Sequence, residues 1–216
     1  MASARASYEV EDYLAAWDRL EEARQVDADA PDIPYLRGMV AYARAQVLEE
    51  EAAQVYLEEA ALSFQKVLEM DPDDDDARFN LAAVYMGLGR WGEAGEIYEE
   101  LLLRNPTDGR LYQALARAHS LAGDNERALA EEAVGRALRA DNPVEDAGIW
   151  ARRAAERYPE SEMAEEYQNH GAPESIYTYT IPGGDLVEVW FYWDDAVVEV
   201  FREGGRLGPA FHLPRP

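Results

Sequence analysis

The chain has 216 residues, of which 48% are hydrophobic, enough to bury a sizeable core and to exclude global disorder. Its 44 acidic and 20 basic residues leave a net charge of -24, a field that repels phosphate backbones and anionic headgroups and so argues against nucleic acid and against direct membrane insertion. The absence of cysteine excludes a disulfide framework and any thiolate metal or redox centre.

The start, Met1 to Tyr13, lacks the apolar run of a secretory signal, and no stretch approaches the length of a membrane span. A cytoplasmic location is expected, or a periplasmic or envelope-associated one if a leader has been removed. From Tyr8 to about Asp29, Tyr13, Ala16, Trp17, Leu20 and Ala23 recur at helical steps, and Pro31 and Pro34 are expected to end that helix and start the next. Tyr35 to Glu50 carries Leu36, Met39, Val40, Ala43 and Val47 at the same spacing, and Gln54 to Met70 carries Ala60, Phe64, Val67 and Leu68. Glu49, Glu50 and Glu51 read as an insertion between them. The run Asp71 to Asp76 places negative charge where the next helix N-terminus favours it.

The clearest unit spans 75–108. Its first helix holds Leu81, Ala82 and Tyr85 and is closed by Gly89; its second holds Ala94, Tyr98 and Leu101 and stops at Pro106. Pro72 and Pro106 stand 34 apart, as do Ala60 and Ala94, Phe64 and Tyr98, Leu81 and Leu115, Ala82 and Ala116, and Gly89 and Gly123, which identifies a helical repeat. A further unit, 109–143, repeats Tyr112, Leu115, Ala116 and His119, and a helix over 144–158 is expected to cap the array. The pattern Leu81-Ala82-x-x-Tyr85, Ala94, Tyr98, Pro106 resembles the tetratricopeptide repeat family across residues 35 to 158. The resemblance implies a stack of helix pairs whose first helices line a groove that binds peptides or partner proteins.

After Tyr158-Pro159 a short helix leads to Gly171-Ala172-Pro173. The runs Tyr177–Ile181, Leu186–Trp193 and Ala196–Arg202 then read as three strands, joined at Pro182-Gly183-Gly184 and Asp194-Asp195. Alternation puts Val187, Val189, Phe191 and Trp193 on one face and Leu186, Glu188, Trp190 and Tyr192 on the other, so both faces are expected to be covered. The segments His170-Gly171-Ala172-Pro173-Glu174, Val187 to Tyr192 and Gly208 to Leu213 resemble the end of the bacterial GWxTD domain family, though the Gly-Trp-x-Thr-Asp signature is absent. That resemblance implies association with repeat proteins and the cell envelope. The expected architecture is therefore mainly α: a tetratricopeptide-like helical-hairpin solenoid over 8–158, with a short helix and a small antiparallel β-sheet over 159–216.

The expected recognition surface is the exposed face of the first helices: Phe79, Asn80 and Met86 in one repeat, Arg110, Gln113 and Arg117 in the next. An amide beside two guanidinium groups suits a carboxylate, and Phe79 and Met86 suit apolar side chains. The competing possibility is that Arg110 and Arg117 only neutralise carboxylates on an acidic surface. Arg136, Arg139, Arg152, Arg153 and Arg157 form a basic concentration expected to pair within the chain. Asp71 to Asp76 lacks the glycine and glutamate of a calcium loop, and His119, His170 and His212 are scattered, so no metal or cofactor is expected. No nucleophile elbow, phosphate loop or dinucleotide fingerprint appears, so the expectation is a noncatalytic interaction module for a protein or peptide. The alternative is a structural accessory of a bacterial cell-envelope or motility assembly, acting through the aromatic run Trp190 to Trp193. Only Lys66 among the basic residues is lysine, which fits a high-salt cytoplasm or, equally, an acidic protein from a GC-rich genome.

Overall fold

The computed structural model describes residues 2–26, 32–140 and 142–213. The chain divides into two compact units, Met1–Ile97 and Tyr98–Pro216. The fold is mainly α, a tetratricopeptide-like arrangement of helix pairs, with a small antiparallel sheet near the C-terminus.

The first unit contains α1 (Ala2–Glu9), α2 (Tyr13–Val26), α3 (Asp32–Ala45), α4 (Glu50–Met70) and α5 (Asp75–Gly87), and the division falls within α6 (Trp91–Arg104). The helix expected from Tyr8 onward is two helices, because the chain turns at Glu11 (φ 59°) and Asp12 restarts it by accepting from the Ala15 amide at 3.1 Å. The expected end at Asp29 and Pro31 lies outside the described residues. Ala4, Ala16, Leu20 and Val40 join α1, α2 and α3 in one core. Arg37 of α3 binds Glu21 of α2 and Glu59 of α4, and its guanidinium lies 4.3 Å over Trp17. Gly38 lets α3 approach the buried Phe64 of α4, since a Cβ there would sit 2.8 Å from the ring. The three glutamates expected as an insertion lie at the start of α4, with Glu49 just before the helix and Glu50 and Glu51 in its first turn.

The repeat is visible in the caps. Asp74 accepts from the Ala77 amide at 2.8 Å to start α5, and Asp108 accepts from the Arg110 amide at 2.9 Å to start α7 (Gly109–Ala122). Gly89 (φ 73°) and Gly123 (φ 93°) follow the two helices in the left-handed region.

In the second unit α7 pairs with α8 (Asn125–Ala137), and α9 (Ala147–Arg157) and α10 (Glu162–His170) lead to the sheet. Its strands are β1 (Ser175–Thr180), β2 (Leu186–Tyr192), β3 (Val197–Arg202), β4 (Gly205–Arg206) and β5 (Phe211–His212). They run antiparallel in the order β1-β2-β3-β4, with β5 also paired to β3, so two short strands supplement the three that alternation marks. Both faces are covered. Val187, Val189, Phe191, Val198 and Val200 pack against Ala130, Ala133, Val134 and Ala137 of α8. Trp190, Tyr192 and Phe201 pack against Ala151 and Ala154 of α9 and Met163 of α10. The sheet thus lies against the last repeat helix, and α9, expected as the cap of the array, covers the sheet's opposite face.

The α7–α8 crossing is made by two glycines. A Cβ on Gly135 would stand 2.8 Å from the Gly109 carbonyl oxygen, and a Cβ on Gly109 would stand 2.7 Å from the Gly135 carbonyl oxygen. Backbone cannot yield as a side chain does, so Gly135→Ala is expected to lose about 1–3 kcal/mol in urea unfolding. Gly92→Ala, which meets nothing within 4 Å, is expected to be neutral or slightly stabilising in the same measurement.

Candidate functional site

In the first unit, Phe79, Asn80 and Met86 lie on α5. Asn80 Nδ2 donates to the Tyr35 hydroxyl at 3.1 Å and so ties α5 to α3. Phe79 is 37% exposed, large for a phenylalanine on a packed helix, and Met86 is half-buried. Burial, followed by the charges of Asp76 and Asp74, raises the Tyr35 hydroxyl above the usual range. Tyr35, Leu36 and Met39 of α3 line a cavity of about 650 Å³ with Tyr8 of α1, accompanied by Arg5, Glu9 and Asp32. This side of α3 is therefore largely apolar and aromatic.

In the second unit, Arg110, Gln113 and Arg117 lie on α7. Asp108 holds Arg110 through two bonds, from Nε at 3.1 Å and from Nη2 at 2.8 Å, and the pairing lowers the Asp108 carboxyl below its usual range. For Arg110, neutralisation of a neighbouring carboxylate is what the structure shows. Arg117 differs: it is exposed and, among the described residues, its side chain makes no hydrogen bond or ion pair. With Gln113 and Ser120 it lines a cavity of about 560 Å³, shared with Ala116, Leu121, Asn125, Ala128, Leu129, Glu132 and, from the end of β3, Arg202. Nothing local in the sequence marks Arg202. Its place follows from docking the sheet on α8.

Most of the other chemistry-bearing residues are absorbed by the fold. His119 Nδ1 lies 2.7 Å from Oε2 of the fully buried Glu131, whose other oxygen accepts from Arg127 Nε at 3.0 Å. Burial raises the Glu131 carboxyl above its usual range, and His119 and Arg127 oppose that rise. In the acidic run, Asp71 accepts from the Asp73 amide at 3.1 Å, Asp74 caps α5 and Asp75 pairs with Arg78 at 2.9 Å. Among the described residues no group of histidines and carboxylates is placed to hold a metal ion, and no helix is long and apolar enough to cross a membrane. Of the basic concentration, Arg136 pairs with Glu132 and lies 5.0 Å from the Tyr179 ring, and Arg139 donates to the Gly135 carbonyl at 3.2 Å. Contrary to the pairing expected, Arg152, Arg153 and Arg157 are exposed on α9 and their side chains make no ion pair among the described residues, because they stand on the face of the helix turned away from the sheet. Trp190, Phe191 and Tyr192 are 0%, 0% and 3% exposed, so this aromatic run is core and not a contact surface. Glu188, buried in the same layer, accepts from Trp150 Nε1 at 2.8 Å and Trp190 Nε1 at 3.1 Å, linking α9 to β2.

A second acidic group is buried between α10 and the sheet. Arg206 Nη2 donates to Glu166 Oε2 at 2.9 Å, while its Nε stands 2.8 Å from Glu199 Oε2 but out of line for a hydrogen bond. Glu199 is 3% exposed, and burial pushes its carboxyl up to about 7 against the opposing pull of Arg206.

Residues 51–118 match a tetratricopeptide repeat model, which leaves the C-terminal sheet outside the match. No curated protein matches the chain. Among solved structures the chain is similar to MamA MSR-1, at 24% identity over 62% of this chain and 72% of that one with a TM-score of 0.50. It is likewise similar to MamA AMB-1, at 24% identity over 62% and 74% with a TM-score of 0.51. These likenesses establish a shared helical-repeat fold.

The buried Glu199 carries a pH prediction. Its folded value exceeds its unfolded one, so its stabilising contribution is complete below about pH 4.5 and is lost as pH rises through about 7, a penalty of about 3 kcal/mol at most. Glu199→Gln, compared with wild type by chemical denaturation at pH 5 and pH 8, is expected to gain relative stability toward pH 8. A difference that does not vary with pH would show that the carboxyl titrates normally.

Proposed function

We propose that the chain is a noncatalytic interaction scaffold that receives a partner protein through the outward faces of its first helices. The observation that supports this most is Arg117. In a chain of 44 acidic and 20 basic residues most arginines can find a carboxylate; Arg117, like Arg152, Arg153, Arg157 and Arg202, pairs with none among the described residues, and it is the one of these that lies on a first helix, beside a cavity on the face where the repeat pattern puts recognition. On α5 the corresponding face leaves Phe79 exposed next to the Asn80–Tyr35 bond, an apolar contact beside a fixed polar one. Arg110 contributes only if a ligand carboxylate displaces Asp108. Each of the two helices presents its residues within its own unit.

Arg117→Glu changes an exposed side chain and is expected to keep wild-type stability within about 0.5 kcal/mol, whereas Phe79→Ala, which removes a ring that is 37% exposed, is expected to lose about 1 kcal/mol and to remain folded. Partners retained by the immobilised wild-type chain from lysate of its native host, at low and high potassium chloride, are expected to be lost on Arg117→Glu and reduced on Phe79→Ala. Salt is expected to weaken the Arg117 contribution more than that of Phe79. Retention of the same partners by both variants would contradict the proposal.

A further inference from the structure

Resting on the scaffold reading above, we propose that the cavity between α7, α8 and the end of β3 is a site for an acidic peptide segment, with Arg117 and Arg202 as its two carboxylate-binding groups. The sheet then takes part in recognition and is more than a cover for the last repeat. Arg202 ends β3, which stands against α8 through Val198 and Val200, and this packing brings its side chain to the cavity that Arg117 lines from α7. Arg202 is exposed and its side chain, like that of Arg117, makes no hydrogen bond or ion pair among the described residues. Glu132, the single acid in the lining, is already engaged by Arg136, whose Nε donates at 3.0 Å. The cavity therefore keeps two uncompensated guanidinium groups within a strongly acidic chain, and a carboxylate is the partner that completes them. Gln113, Ser120 and Asn125 add neutral donors. Ala116, Ala128 and Leu129 add an apolar wall, which suits an extended segment where acidic and aliphatic residues alternate.

A displayed library of random decapeptides, panned against the full-length chain, tests this. Enriched peptides, resynthesised with acetylated and amidated ends so that only side chains carry charge, are expected to be rich in aspartate and glutamate with aliphatic neighbours. Their affinity is expected to fall about tenfold on Arg202→Gln and on Arg117→Gln, since each substitution removes one charge-assisted contact, and to fall when glutamate is replaced by glutamine. Loss of binding on Arg117→Gln with no change on Arg202→Gln would overturn the role of the sheet and leave the scaffold reading intact. Enrichment of peptides without acidic residues, no enrichment, or indifference to both substitutions would overturn the site. Coincident unfolding of the variants and wild type in urea separates loss of a contact from loss of the fold.

Discussion

Helix α8 is packed on two sides by groups that leave it almost no freedom, and the second unit depends on that. On one side Gly135 meets the backbone of Gly109, so α7 and α8 approach closely enough that a Cβ on either glycine would meet the other's carbonyl oxygen. On the other, Ala130, Ala133, Val134 and Ala137 form a surface of small side chains that the valines of the sheet and Phe191 cover. Three antiparallel strands with two short additions are marginal by themselves. Here α8 supplies one apolar wall, and α9 with α10 supplies the other. The sheet cannot be regarded as a removable appendage, because taking it away would expose the face of the last repeat helix.

The electrostatics follow from the same crowding. With more than twice as many acids as bases, arginine joins neighbouring elements at several places: Arg37 bridges Glu21 and Glu59, Arg127 reaches Glu99 and Glu131, and Arg206 reaches Glu166. Several of these are partly buried, where a guanidinium satisfies two acceptors and a lysine would satisfy them less well. Against that background the side chains left over are informative. Arg117 and Arg202 sit at one cavity but come from a helix and a strand far apart in sequence.

Much of the fold was legible because it is periodic. Leu81, Ala82, Gly89 and Ala94 recur one repeat later because the same packing recurs, with His119 in the place of Tyr85, and alternation along Leu186 to Tyr192 correctly implies a sheet covered on both faces. Helix α1 was not legible as a separate element: its buried residues are Ala4 and Ser7, too small to mark a stripe. The order of layers was hidden too, since nothing local in residues 144–158 says that they cover the far face of the sheet. Of the residues proposed for recognition, Phe79, Arg110 and Arg117 are all exposed, but Arg110 is paired with an aspartate two positions away. The sequence shows both members of that pair but not whether they close on each other. Arg202 depends wholly on tertiary docking, and no pattern of spacing reports that.

The central claim is that the last helical pair and the C-terminal sheet form one cooperative body. Native-state hydrogen exchange across a denaturant series tests it directly. The account predicts that the slowest amides of α8 and β2 open with the same free energy and the same dependence on denaturant. Exchange of the β2 amides through a smaller opening that leaves α7 and α8 protected would contradict it.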